Sequence, residues 1–307
     1  MWHGVEDAQG SVNETLSVIV DGRTGGPPLR TTLDSLFAQT HPPDEVLVLA
    51  GTGNQYLSAV LPHTLRIVTA SRCRAGAAGW NDAAGQTRGR YLAFVDAGAI
   101  WDPSFAEAHV SFLEAHPKCS ALVAGRAEDV RRSAHLNLLA LIAHTPATCL
   151  SATLIRRDTF VEAGGFDETI RERYDLDLHL RMARHGHVSA IRNAPLGMPP
   201  PSKVVVDKSV ADIEAAVSVL ERFSTRHALP PDIRTALRIR IMRLIDRLEL
   251  EQARCRILEG HFDAAYFHLD AARNPSLSVR LAKMLLRVMP RLVRAMYRHV
   301  PALAHLR

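Results

Sequence analysis

The chain is poor in the residues that would tie a fold together covalently or through metal. Its 307 residues include only four cysteines, Cys73, Cys119, Cys149 and Cys255. They are scattered, form no CxxC pair and show no zinc-type spacing with histidine. Thiols in that pattern read as reduced, in a reducing compartment. No uninterrupted apolar run reaches the ~18 residues that would span a bilayer. The start, MWHGVEDAQGSVNET, is polar and acidic where a secretory signal is basic and then apolar. The expectation is a cytoplasmic protein. Gly76-Ala-Ala-Gly79 and Gly51-Thr-Gly53 do not complete a GxGxxG after a strand, so no dinucleotide site is indicated. His179, His185 and His187 cluster without HExxH or comparable spacing, which points them to packing or surface roles rather than metal.

What is present describes a folded protein. Hydrophobic residues make up 47% of the chain and charged residues 22%, which rules out wholesale disorder. The length suits one large α/β domain plus a smaller appendage. The net charge of +5 is unevenly placed. From Lys208 onward there are 18 Lys/Arg against 10 Asp/Glu, a net of +8, which leaves −3 for residues 1–207. The basic character belongs to the tail, where it suits anionic lipid, nucleic acid or an acidic partner. No recognised nucleic-acid module accompanies it.

Along the chain, Leu16–Val20 reads as a strand and Leu29–Gln39 as a helix, with Leu29, Leu33, Leu36 and Phe37 at helical spacing and Thr24-Gly-Gly-Pro-Pro28 as a break between them. Glu45–Ala50 and Leu65–Val68 are further strands, Ala75–Arg88 a small-residue helix, Arg90–Val95 a strand, Pro103–His116 a helix and Ala121–Ala124 a strand. Such alternation predicts an α/β fold with a largely parallel sheet, its ligand beyond the carboxyl ends of the strands. After Pro199-Pro-Pro201 the pattern turns helical, over 209–227, 231–259, 262–272 and 277–298, with Gly260 as a stop and Pro290 a kink or break. The segment 259–272 resembles one tetratricopeptide-type pair, but no second copy follows, which favours a plain helical hairpin. The domains expected are a flexible N-terminus over 1–14, an α/β domain over 15–205 and a helical C-terminal domain over 206–307.

Five segments, in order, carry a family resemblance. They are Leu16–Val20 with Asp21-Gly22-Arg23, Leu29–Thr40 leading through Pro-Pro-Asp-Glu-Val, Arg74–Asn81 with Gly89–Asp96, Arg156–Glu168 (RRDTFVEAGGFDE), and Asp175–Gly186 (DLDLHLRMARHG). Across roughly residues 15–190 the chain resembles the family 2 glycosyltransferases. The resemblance implies a Rossmann-like GT-A domain, a nucleotide-sugar donor and transfer to a carbohydrate, lipid-linked or protein acceptor. It also implies a DxD motif that holds Mg²⁺ or Mn²⁺ against the departing diphosphate. Here that stretch reads Asp96-Ala97-Gly98-Ala99, so only Asp96 remains as a metal ligand. The second strand ends in Ala50-Gly51-Thr52-Gly53-Asn54, without the acids that meet the nucleoside in the family.

Donor contacts are expected at Asp21, Arg23, Gly51, Arg74, Asp96 and Gly98, of which Asp21 and Arg23 stand where the family has Pro and Tyr and are expected on their own chemistry. Arg23, Arg72 and Arg74 are suited to neutralising phosphates without metal. Asp21-Gly22 reads equally well as a turn, with the arginines solvated. Asp175 is the expected general base of an inverting transfer, and reads also as a helix cap with Asp177 in the same first turn. Two readings remain: a glycosyltransferase with reduced or no metal dependence, and a catalytically inactive glycosyltransferase-like binding or scaffolding partner. In the last thirty residues Arg280, Lys283, Arg287, Arg291, Arg294, Arg298 and Arg307 interleave with apolar residues and meet no acid. That pattern reads as a helix packed on the C-terminal domain or as a peripheral contact with an anionic membrane.

Overall fold

Hydrophobic alternation organises the N-terminal half around one sheet. The computed structural model describes residues 15–23, 25–50, 65–69, 74, 76–125, 135–144, 150–186, 188–193, 210–272 and 277–299. The strands are β1 (Leu16–Gly22), β2 (Glu45–Ala50), β3 (Leu65–Thr69), β4 (Tyr91–Asp96), β5 (Cys119–Gly125), β6 (His135–Leu136), β7 (Thr153–Arg156) and β8 (Val188–Asn193). They form one eight-stranded sheet in the order β3-β2-β1-β4-β7-β5-β8-β6. The sheet is less parallel than the sequence led us to expect. β1 pairs in parallel with β2 and β4, β2 with β3, and β5 with β8, whereas β7 is antiparallel to both β4 and β5, and β6 to β8.

The parallel half has the continuous apolar strands of a sheet covered on both faces. Leu16, Val18 and Val20 turn one way, into a core with Leu29, Leu33 and Leu36 of α1 (Gly26–Phe37) and Phe105, Val110 and Leu113 of α3 (Phe105–Ala115). On the opposite face Phe94 of β4 meets Trp80 of α2 (Ala77–Ala84), Phe160 of α5 (Arg157–Glu162) and Phe166, with ring centroids 4.9–5.6 Å apart. Helix α1 starts three residues earlier than the leucine spacing indicated. Pro27 and Pro28 form its first turn instead of breaking the chain, because the first-turn N–H groups have no intrahelical acceptor to lose.

The remaining helices are α4 (Leu138–His144), α6 (Tyr174–Arg184), α7 (Val210–Arg226), α8 (Pro231–Glu259), α9 (Phe262–Ala271), α10 (Leu277–Val288) and α11 (Pro290–His299). The chain divides into two compact units. One comprises residues 1–137, 146–169 and 181–199, the other 138–145, 170–180 and 200–307. In the second unit α4, α7, α9 and α11 all pack on α8. Helix α8 ends at Gly260, whose φ of 92° makes the left-handed cap that turns the chain into the α8–α9 hairpin. Ala253, Ile257, Ala265, Leu269, Val279, Leu286 and Val293 form the core of that end. Pro290 separates α10 from α11, as its missing N–H dictates.

Candidate functional site

The carboxyl ends of β1 and β4 bring two acids together that lie 75 positions apart. Asp21 and Asp96 are register partners in the parallel ladder, so both side chains leave the same face of the sheet. Ile19 and Phe94, two residues earlier, place that face on the α2 side. Asp96 is exposed. Its backbone N–H donates to Ser151 Oγ at 2.9 Å, and the Ser151 hydroxyl donates back to Asp96 Oδ2 at 3.0 Å. Ser151 sits in a 3-10 turn over Leu150–Ala152, and its carbonyl accepts from the buried Trp101 indole at 2.8 Å. No motif marked Ser151 in the sequence, because its partner is 55 positions away.

Beyond Asp96 the chain makes a tight turn closed by Ala99 N–H donating to the Asp96 carbonyl at 3.1 Å. Gly98 occupies it at φ 101°, a conformation that disfavours any side chain, including an aspartate's. Its N–H donates to Thr32 Oγ1 of α1 at 2.8 Å. Gly98 thus contributes backbone shape where the family pattern has an acid.

Asp21 does not stand alone. The Arg23 guanidinium grips it through Nε, 2.8 Å from Oδ1, and through Nη2 to Oδ2, while the Arg23 N–H donates to Oδ1 at 3.1 Å. Both readings of this segment therefore meet in one feature, a turn closed by its own ion pair. A divalent cation at such a site takes one or two free carboxylates, with substrate phosphates and water in the other positions. Asp96 already accepts from Ser151, Asp21 is paired with Arg23, and positions 98 and 99 bring no side-chain oxygen. Among the described residues no three His, Cys, Asp or Glu are grouped to hold a metal.

Arg74 lies in a second polar constellation of the same unit. Its guanidinium bonds Asp82 through Nε (3.0 Å) and Nη2 (2.7 Å), and Glu168 through Nη1 (2.6 Å). These bonds hold the Asp82 carboxyl below its usual range and raise the guanidinium further above its own. The three groups border a cavity of about 560 Å³ that Asn81, Gly85, Gln86, Gly164 and Phe166 also line. Asn81 clamps the GGFDE turn there. Its Nδ2 donates to the Phe166 carbonyl and its Oδ1 accepts from the Phe166 N–H, both at 2.9 Å. Gly165, at φ 70°, leaves room for the clamp, since a Cβ there would sit 2.7 Å from Asn81 Oδ1.

The remaining motif arginines serve the backbone. Arg181 of α6 reaches the carbonyls of Ala163 and Gly165. Arg156 donates to the Cys119 carbonyl at 2.9 Å, to the Leu113 carbonyl, and to the Tyr91 hydroxyl at 3.1 Å. Burial, aided by the bond to Glu114, pushes the Tyr91 phenol up to about 12. Arg157 spans the Gly89 and Ala84 carbonyls and Thr87 Oγ1. Sequence reading left these arginines without a role, since a guanidinium's carbonyl partners leave no trace in side-chain patterns.

Asp175 lies in the first turn of α6, beside Asp177, where the helix dipole favours negative charge. It belongs to the second unit. Arg173, at φ 60°, precedes the helix, places Nε 3.9 Å from Asp175 Oδ1, and bonds Asp212 through Nη1 at 3.0 Å. One turn on, His179 is fully enclosed. Burial pushes its imidazole below the ordinary value near 6.5, and the Asp175 carboxylate opposes that shift. Gly51, Arg72 and Asn54, and with them Cys73, Cys149, residues 1–14 and the Pro199–Pro201 linker, lie outside the described residues.

Residues 17–166 match the profile of glycosyl transferase family 2. Among solved structures, the fold is similar to the mannosyltransferase PcManGT from Pyrobaculum calidifontis in complex with GDP-Man and Mn²⁺, at 18% identity over 94% of this chain and 85% of that one, with a TM-score of 0.59. It is also similar to TarS 1–349 of S. aureus in complex with UDP-GlcNAc, at 16% identity over 92% and 91%, with a TM-score of 0.55. At these identities the likeness establishes the fold, which is GT-A. No curated protein sequence matches the chain.

Proposed function

We propose, from the premise that residues 17–166 form a family 2 glycosyltransferase domain, that the protein transfers a sugar from a nucleoside diphospho-sugar to a hydroxyl acceptor with inversion. The observation that carries this reading is the pairing of Asp21 and Asp96 at the carboxyl ends of adjacent parallel strands, where open α/β sheets bind ligands. Two similar structures hold donors of this class, GDP-Man in one and UDP-GlcNAc in the other.

In the proposed step the acceptor oxygen forms a bond to the anomeric carbon as the bond from that carbon to the diphosphate oxygen breaks. The hydroxyl proton passes to the Asp175 carboxylate, and the diphosphate leaves with the bonding pair. Asp96, held by Ser151, contacts the donor's ribose or diphosphate. Arg23 and Arg74 balance charge that develops on the leaving group only by loosening their carboxylate partners, which makes donor binding depend on ionic strength. With the donor set described above, no step is assigned to a bound metal.

A second reading has its own support. Arg23 and Arg74, two of the three arginines suited to the diphosphate, are already neutralised within the chain, as expected of a domain that binds a partner without turnover. A panel of nucleotide sugars, each with Mn²⁺ or with EDTA, decides between the two when thermal shift and donor hydrolysis are both measured. The first reading expects a shift and turnover with at least one donor, and Asp175→Asn to abolish turnover while retaining the shift. Neither shift nor turnover with any donor leaves the scaffolding reading.

A further inference from the structure

For helices α10 and α11 the sequence left two readings, packing on the C-terminal domain and contact with an anionic membrane, and these helices have both a packed and an exposed apolar side. On α10, Val279 and Leu286 are buried in the core shared with α8 and α9, joined by Leu285 at its edge. The rotation of about 100° per residue places Leu281, Met284 and Val288 on the side away from Val279 and Leu286. They are 53%, 58% and 71% exposed. Met289 and Leu292 continue the apolar surface to the start of α11, each about half exposed. The helix is therefore apolar on two opposite sides, and only one is used by the fold.

Between those sides runs a basic strip. Arg280, Lys283 and Arg287 fall at i, i+3 and i+7. Lys283 pairs with Asp270, and both Lys283 and Arg287 lie over the Tyr266 ring, at 5.0 and 4.4 Å from its centroid. Arg280 and Arg291 are exposed and have no ion-pair partner among the described residues. No acid follows Asp270 in the sequence, while eight Lys/Arg do. No helix among the described residues is long and apolar enough to cross a membrane.

We propose that α10 and the start of α11 form an interfacial site for an anionic bilayer, with Leu281, Met284, Val288 and Leu292 entering the headgroup boundary and Arg280 and Arg291 meeting lipid phosphates. Five exposed large apolar residues beside Arg280 and Arg291, with no acidic side chain in residues 271–307, match the chemistry of such a surface on both counts, apolar and electrostatic. An acidic protein would supply the charge but gives no reason for an acid-free segment this long. The site does not depend on the glycosyl-transfer reading and is measured without turnover.

The test is sedimentation of the full chain with vesicles of neutral phosphatidylcholine, and with vesicles carrying about 30 mol% phosphatidylglycerol. Binding to the anionic vesicles, weakened by salt, is expected. Arg280→Gln with Arg291→Gln should lower the partition coefficient by about fivefold for each residue. Met284→Asp with Val288→Asp should abolish binding, and because both side chains are exposed, circular dichroism and melting should remain those of the parent. Equal binding by parent and variants overturns the proposal, as does no binding at low salt. A dimer that dissociates on Val288→Asp, in a chain that ignores vesicles, would assign the stripe to a second copy instead.

Discussion

Replacing Asn81 with alanine probes the clamp that sets the edge of the cavity. The amide makes two bonds of 2.9 Å to the backbone of Phe166, one to its N–H and one to its carbonyl. A buried backbone group deprived of its partner costs about 1–3 kcal/mol, so the pair amounts to roughly 2–6 kcal/mol if neither is replaced. The adjoining cavity of about 560 Å³ admits water, which draws the expected loss toward the lower end, about 2 kcal/mol. Truncating Arg74 should cost far less, because its bonds to Asp82 and Glu168 are solvent-screened at the surface. A urea titration followed by tryptophan fluorescence suits the comparison, since Trp80 adjoins the mutated residue and Trp101 is buried in the same unit. Amide hydrogen exchange at Phe166 gives the local readout. A midpoint shift worth less than about 0.5 kcal/mol, with Phe166 exchange unchanged, would refute the clamp.

Three other outcomes follow from the same geometry. Gly165→Ala should destabilise by at least about 1–2 kcal/mol in the same titration, because an alanine would take φ 70° and press on Asn81 Oδ1 at 2.7 Å. Arg156→Lys keeps the charge but cannot span the Cys119 and Leu113 carbonyls and the Tyr91 hydroxyl together, so a loss of about 1.5–3 kcal/mol is expected, and wild-type stability would show the fork to be dispensable. His179 is neutral in the fold because burial lowers its pKa, whereas the unfolded chain takes up the proton below about 6.5. Stability should therefore fall as pH drops through that value, until the folded pKa is reached. His179→Gln should flatten the pH dependence of the unfolding free energy between pH 7.5 and 5.5 by at most about 1.4 kcal/mol per pH unit, and an unaltered slope would exclude His179 as its source.

Much of the fold was legible because it follows from local pattern. The strand–helix alternation from Leu16 to Gly125 and the helical hairpin at Gly260 each repeat a periodicity that any segment displays by itself. β6, β7 and β8 were missed. Thr153–Arg156 is only four residues long, too short for a period, and β8 has its partner β5 over sixty positions earlier. The candidate site divided in the same way. Asp96 and Gly98 were found by their correspondence to the family's DxD motif, whereas the reason for Gly98, its left-handed turn, is a property of the backbone.

The sequence by itself determined that an α/β sheet would form and that Asp21 and Asp96 would end two of its strands, since apolar runs and turn residues act on their near neighbours; that the sheet is of the GT-A type came from the family resemblance. Only the tertiary structure decided what those residues meet. It showed Asp21 already gripped by Arg23, Asp96 exchanging hydrogen bonds with Ser151, and Arg74 held between Asp82 and Glu168. It also showed that α10 buries one apolar side and leaves the other exposed. Partner choice depends on which distant segments the sheet brings within about 3 Å, and burial on which face finds a neighbour; neither is encoded at a fixed spacing along the chain.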